Sequence, residues 1–128
     1  MGDATVAANE IPGKPMDMSV EEFAGGALCV VLQGRLDTVG VDKVEARFTD
    51  TVLGVDRDAA VDLGAVSFLA SMGVRLIIAT ARAQRARGRN LVLFGARAQV
   101  QSTLQMVALD QIIPVLPDRE QALARLAI

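Results

Sequence analysis

The chain of 128 residues has no histidine, no tryptophan, no tyrosine and one cysteine. Lack of histidine removes the ordinary base that activates a serine or cysteine nucleophile, and with it the commonest metal ligand. Four Phe without Trp or Tyr provide no aromatic platform on which nucleic-acid bases could stack. A formal net charge of −2 gives no electrostatic case for nucleic acid either. The lone Cys29 cannot form an internal disulfide, and its place in the apolar run 27–32 reads as a buried strand position. No run reaches the length of a membrane span, and the N-terminus lacks the apolar core of a signal peptide. The phosphate-cradling pattern Gly-x-x-x-x-Gly-Lys is absent, and no carboxylates cluster at metal-ligand spacing. These absences predict a cytoplasmic protein with no metal, no cofactor, no membrane insertion and no direct contact with nucleic acid.

What is present is an ordinary globular composition, 52% hydrophobic and 22% charged, in a length suited to one core. Residues 1–15 are small, polar and punctuated by Pro and Gly, which predicts a flexible arm before a domain over 16–128. Residues 16–23 read as an edge strand, Gly25-Gly26 as a turn, and 27–33 as an apolar strand. Val41, Val44, Phe48 and Val52 recur at helical spacing, with Gly54 as the stop. A central strand over 59–63 follows, then a helix from Ser71 to about Arg87, with Gly88 as its stop. Residues 90–94 read as a short strand, and Val100, Leu104, Val107 and Ala108 mark a third helix. Pro114 confines a last strand over 112–116 to an edge, and Asp118 caps a final helix with Ala122, Leu123 and Leu126 inward. Strands alternating with helices predict an α/β fold: a single mixed, mostly parallel sheet with helices packed on it and an antiparallel hairpin at its start.

The segment over 61–75, VDLGAVSFLASMGVR, carries the most information. It reads as a short strand, a tight loop ending in a serine, and a helix whose inner stripe is Val74, Ile77, Ile78 and Ala81. Ser71 suits the N-cap, where its hydroxyl would accept a hydrogen bond from a first-turn amide. The chemistry argues against a catalytic role for Ser71. Leu69 stands where a nucleophile elbow needs glycine, Val74 stands where Ser-x-x-Lys needs lysine, and no histidine exists to serve as base. No catalytic residue is assigned.

The same string resembles the signature of the STAS domain, the fold of bacterial anti-sigma factor antagonists. Asp62 and Leu63 match the strand end, Val66, Ser67, Phe68 and Leu69 the hydrophobic loop, and Gly73-Val74 the Gly-Leu after the switch serine. Gly34-Arg35-Leu36-Asp37-Thr38 and the stretch 109–123 are similar to further STAS segments, so the resemblance spans about residues 16–126. It implies that Ser71 is the serine phosphorylated by a partner kinase. Ala70 replaces the family's acidic residue before that serine, and Met72 replaces a second hydroxyl, leaving Ser71 as the only one at the switch.

By the same resemblance, Asp37, Thr38, Phe68, Leu69, Ala70, Ser71, Met72 and Arg75 form the partner-binding surface. The implied partners are a serine-kinase anti-sigma factor of GHKL type and a serine phosphatase. The implied function is partner switching: the unphosphorylated protein binds the anti-sigma factor, frees a sigma factor and so regulates transcription indirectly. Two other roles belong to the same fold, a non-phosphorylated regulatory subunit of an ABC-type lipid transporter ATPase and a scaffold subunit of a stress-sensing assembly. Some residues carry two readings at this point. Asp37 caps a loop or meets the partner. The basic stretch Arg75, Arg82, Arg85, Arg87 and Arg89 is a solvated face or, through Arg75, a contact for acidic groups or the phosphate.

Overall fold

The computed structural model describes residues 15–23 and 25–127; the expected arm, apart from Pro15, lies outside the described residues. A hairpin starts the sheet: β1 (Asp17–Glu22) pairs antiparallel with β2 (Leu28–Leu36), from Asp17 opposite Gln33 to Glu22 opposite Leu28. Gly25 and Gly26 both adopt φ of +95°, a left-handed conformation that favours glycine, which is why this pair makes the turn. The chain continues through α1 (Thr38–Leu53), β3 (Ala59–Leu69), α2 (Ser71–Ala86), β4 (Leu91–Phe94) and α3 (Ala98–Met106). A single 3₁₀ turn (Leu109–Gln111), β5 (Val115–Leu116) and α4 (Arg119–Leu126) complete it. Strand order in the sheet is β1-β2-β3-β4-β5, and β2 to β5 are parallel.

Because that order never reverses, right-handed crossovers bring α1, α2 and α3 to one face of the sheet. The main core lies there. Val41, Val44, Phe48 and Val52 of α1 pack with Val74, Leu76 and Ile77 of α2 and Val100 and Leu104 of α3 over the inner residues of the strands. The other face is partly covered by α4, whose Ala122 joins Phe23, Cys29, Ala60, Val92 and Phe94 in a smaller core. Asp118 caps α4, its carboxylate accepting from the Gln121 amide at 2.9 Å. Cys29 is fully buried, and burial pushes its thiol pKa up to about 11.

Three expectations of element length are corrected. β3 does not stop at residue 63 but runs eleven residues to Leu69. Its pairing with β2 shifts register between Val31 and Gln33 and again between Gly34 and Arg35, where β3 carries extra residues. The inward residues therefore change from alternation at Val61 and Leu63 to steps of three at Val66 and Leu69. That lost alternation is what reads as a loop in the sequence. α3 ends at Met106; Val107 is exposed and Ala108 turns the chain at φ +56°, so that Leu109 enters the core. β5 has two residues instead of five, at the sheet edge, because the Pro114 nitrogen cannot donate to the ladder; its carbonyl still accepts from Leu93 at 3.0 Å.

Candidate functional site

Two helices start side by side where β2 and β3 end. Leu36 pairs with Leu69 at the last step of the ladder, and the Ala70 amide donates to the Leu36 carbonyl at 3.0 Å. Each of the two helices has a glycine at its third residue. A Cβ on Gly40 would lie 2.1 Å from the Arg35 carbonyl oxygen, and one on Gly73 would lie 2.7 Å from Leu36 Cγ and 2.8 Å from the Leu36 carbonyl oxygen. Only glycine admits so close an approach. Both helix starts thereby pack closely on the end of β2, at Arg35 and Leu36, which brings their first turns to the same end of the sheet.

Ser71 is the first residue of α2 and is exposed. It is not the cap. The N-cap is Ala70, extended at φ −106° and ψ 175°, with no side-chain capping bond. The expected capping bond from Ser71 fails because its backbone has already entered the helix, one residue past the position from which a side chain reaches back to the amides. The first-turn amides ahead of Val74, which bonds to the Ala70 carbonyl at 3.1 Å, have no acceptor within the helix.

Asp37 caps α1. One carboxylate oxygen accepts from the Gly40 amide at 2.9 Å and the other from Arg35 Nε at 3.2 Å. The Gly40 amide, and then Arg35, hold its carboxyl below the ordinary carboxylate range. The Arg35 guanidinium lies 4.3 Å from the centre of the Phe68 ring, which fixes half-buried Phe68 beside Asp37. Of the remaining residues singled out in the sequence, Thr38, Met72 and Arg75 are exposed and Ala70 is half-buried. Leu69 is buried in the main core, so it stands behind this surface.

Sequence reasoning overlooked Val39, which is 74% exposed in the first turn of α1. The signal was there: an apolar residue off the 41-44-48-52 stripe has no core to enter. Arg35, as the link between Phe68 and Asp37, was also overlooked. Alongside runs a groove of about 420 Å³ between α1 and α2, lined by Val41, Glu45, Met72, Arg75 and Leu76 among others.

The basic stretch along α2 divides. Arg85 donates to the Ile112 carbonyl at 3.2 Å, Arg87 to the carbonyls of Leu53 and Val55, and Arg89 pairs with Asp56 at 2.8 Å. These three fasten the end of α2 to neighbouring loops, and Arg75 is the member near Ser71. Asp62 is structural, accepting from the Gly64 amide at 2.9 Å where β3 bulges. Among the described residues no group of three or more His, Cys, Asp or Glu could hold a metal, and no helix is long and apolar enough to cross a membrane. An exposed hydroxyl, exposed apolar side chains and a partnered carboxylate thus lie at the same end of the sheet.

Comparison with known proteins places this geometry. A Bordetella bronchiseptica protein, BtrV, named as an anti-sigma factor antagonist, is 28% identical over 99 residues, covering 77% of this chain and 85% of its own. The crystal structure of an anti-sigma factor antagonist from Mycobacterium paratuberculosis superposes with a TM-score of 0.80 at 22% identity, over 88% of this chain and 95% of the other. The phosphorylated form of the Bacillus cell-fate determinant SpoIIAA has the same fold, with a TM-score of 0.62 at 20% identity over 85% of this chain and 98% of its own. The model of the STAS domain family matches residues 19–122, from the first strand into the last helix, and the chain therefore belongs to that family.

Proposed function

We propose that this protein is an anti-sigma factor antagonist that works by partner switching, with Ser71 as the switch. The observation that carries the proposal is the position of Ser71: exposed, at the first turn of a rigid helix, on the surface shared by Asp37, Thr38, Val39 and Met72. The resemblance to BtrV supports the partner class. In this account the unphosphorylated surface binds a GHKL-type serine-kinase anti-sigma factor through the exposed Val39 and Met72, with Asp37 and Arg75 at the polar margin. The protein contributes binding and no catalysis of its own.

A phosphate on Ser71 sits against free amides and the positive end of the α2 dipole, so the fold tolerates it. The interface does not. Nearly two negative charges placed among apolar contacts must be desolvated, and the complex separates. A serine phosphatase restores the binding form. One observation favours a second role: Ala70 gives the kinase no acidic residue before the serine, as suits the non-phosphorylated subunit of a transporter ATPase.

Affinity capture of the partner from source cells, followed by incubation with ATP and mass spectrometry, tests the proposal. The expected result is one phosphate, on Ser71, and none on Ser71→Ala. Phosphate on Ser67 or Ser102 with Ser71 unmodified would defeat the switch. Thr80 is no rival for the kinase, being 3% exposed with its hydroxyl donating to the Leu76 carbonyl at 2.9 Å. Capture of an ABC ATPase with no phosphate transferred would favour the second role.

A further inference from the structure

We propose that the end of the domain opposite Ser71 carries a binding pocket for a small phosphate-bearing anion. The pocket, about 250 Å³, lies between the last turns of α2 and α4, the start of β4 and the turn before β5. Arg85, Arg89 and Arg125 line it together with Asn90, Ile112 and Pro114 supply part of its apolar wall, and among the described residues no Asp or Glu lines it.

Arg89 shares its charge with Asp56 at 2.8 Å, but Arg85 donates only to the Ile112 carbonyl. Neither Arg85 nor Arg125 has a carboxylate partner among the described residues. Guanidinium groups stay charged throughout the physiological range, so the two without a carboxylate partner leave positive charge at the pocket that an anion can neutralise. Their paired N–H groups match the oxygens of a phosphate two at a time. A protein of net charge −2 gathers three arginines at one concavity only as a local feature, not as a consequence of overall basicity.

The size restricts the ligand. At about 250 Å³ the pocket falls below the roughly 300 Å³ at which sites for drug-sized molecules begin, so it suits a phosphate or a small phosphomonoester and not a dinucleotide. Arg85 lies fourteen residues along α2 from Ser71, about 21 Å at 1.5 Å per residue. The ligand and a partner at Ser71 therefore occupy separate surfaces.

Titration of the isotope-labelled full chain, followed by amide and arginine side-chain NMR with ionic strength matched by sodium chloride, tests this. Inorganic phosphate and phenyl phosphate are the probes. Both are expected to give saturable shifts centred on Arg85, Asn90 and Arg125, with phenyl phosphate the tighter if the apolar wall takes part and equal if the phosphate alone is bound. Arg85→Gln and Arg125→Gln should each weaken binding about tenfold, the loss of one charge-assisted contact, while Arg82→Gln, exposed on the same helix outside the pocket, changes it less than about twofold. The wild-type shift map stands even if a variant folds poorly. Absence of saturation, shifts centred on Ser71 and Gly73, or equal binding by Arg125→Gln and wild type would overturn the site.

Discussion

At the residue scale, the proposed switch rests on two neighbours with separate duties. Ala70 has the extended backbone of an N-cap and lacks the side chain to act as one; Ser71 has the side chain and sits one residue too late. Ala70→Asp should therefore stabilise the domain by about 0.5–2 kcal/mol, the value of a new N-cap. Ser71→Ala, removing an exposed hydroxyl that makes no cap, should change stability by less than about 0.5 kcal/mol. Urea unfolding of the two variants checks both; a loss of about 1 kcal/mol in Ser71→Ala would restore the capping role to the serine.

Cys29 gives a prediction in pH. Burial, partly offset by Arg119, raises its pKa from 9.0 to about 11, so the folded state holds the thiol proton more tightly than the unfolded chain. The associated stability is complete below pH 9 and is lost as pH rises toward 11, at about 1.4 kcal/mol per pH unit in that window. Unfolding curves of wild type and Cys29→Ala between pH 8 and 10.5 should converge as pH rises. Parallel curves would contradict the buried thiol.

At the element scale, what could be read from the sequence follows from how regular each pattern is. The α1 stripe at 41, 44, 48 and 52 obeys one period from end to end, and all four residues are buried. The second half of β3 obeys no single period, because its bulges shift the inward residues, so it resembles a loop until its pairing with β2 is known. Gln84 was similarly illegible. A glutamine on a helix reads as polar surface, yet it is buried with Nε2 donating to the carbonyls of Arg57 at 3.0 Å and Asn90 at 3.1 Å. Those carbonyls come from loops that no helical periodicity places.

The end of α3 was misread for a related reason. Val107 and Ala108 continue the apolar spacing, but the chain reverses at Ala108 in the left-handed region that alanine enters at a cost. Ala108→Gly should stabilise the domain by up to about 1 kcal/mol, the relief of that conformation outweighing the greater freedom of glycine in the unfolded chain. A rise in thermal midpoint would agree. A fall would mean that the alanine methyl contributes more through contact than its backbone loses.

At the scale of the whole molecule, the fold separates its surfaces by end and by face. Parallel strands send the starts of α1 and α2 to one end, where glycines at 40 and 73 lock them against β2, and the ends of α2 and α4 to the other, where the arginines gather. The location of the candidate surface was legible because the STAS resemblance and the strand–helix boundary agree at Ser71. Its apolar component was not, since Val39 declares itself only once the stripe of α1 is seen to exclude it.

The central claim is that charge on Ser71, not the loss of its hydroxyl, releases the partner. Calorimetric titration of the captured anti-sigma factor against unphosphorylated, Ser71→Ala, Ser71→Glu and authentically phosphorylated protein tests it most directly. Wild type and Ser71→Ala should bind alike, Ser71→Glu should lose about 1–3 kcal/mol, and phosphoserine should lose more because it carries nearly two charges. Equal affinity across all four proteins would contradict the account and leave Ser71 as an exposed residue at the start of a helix.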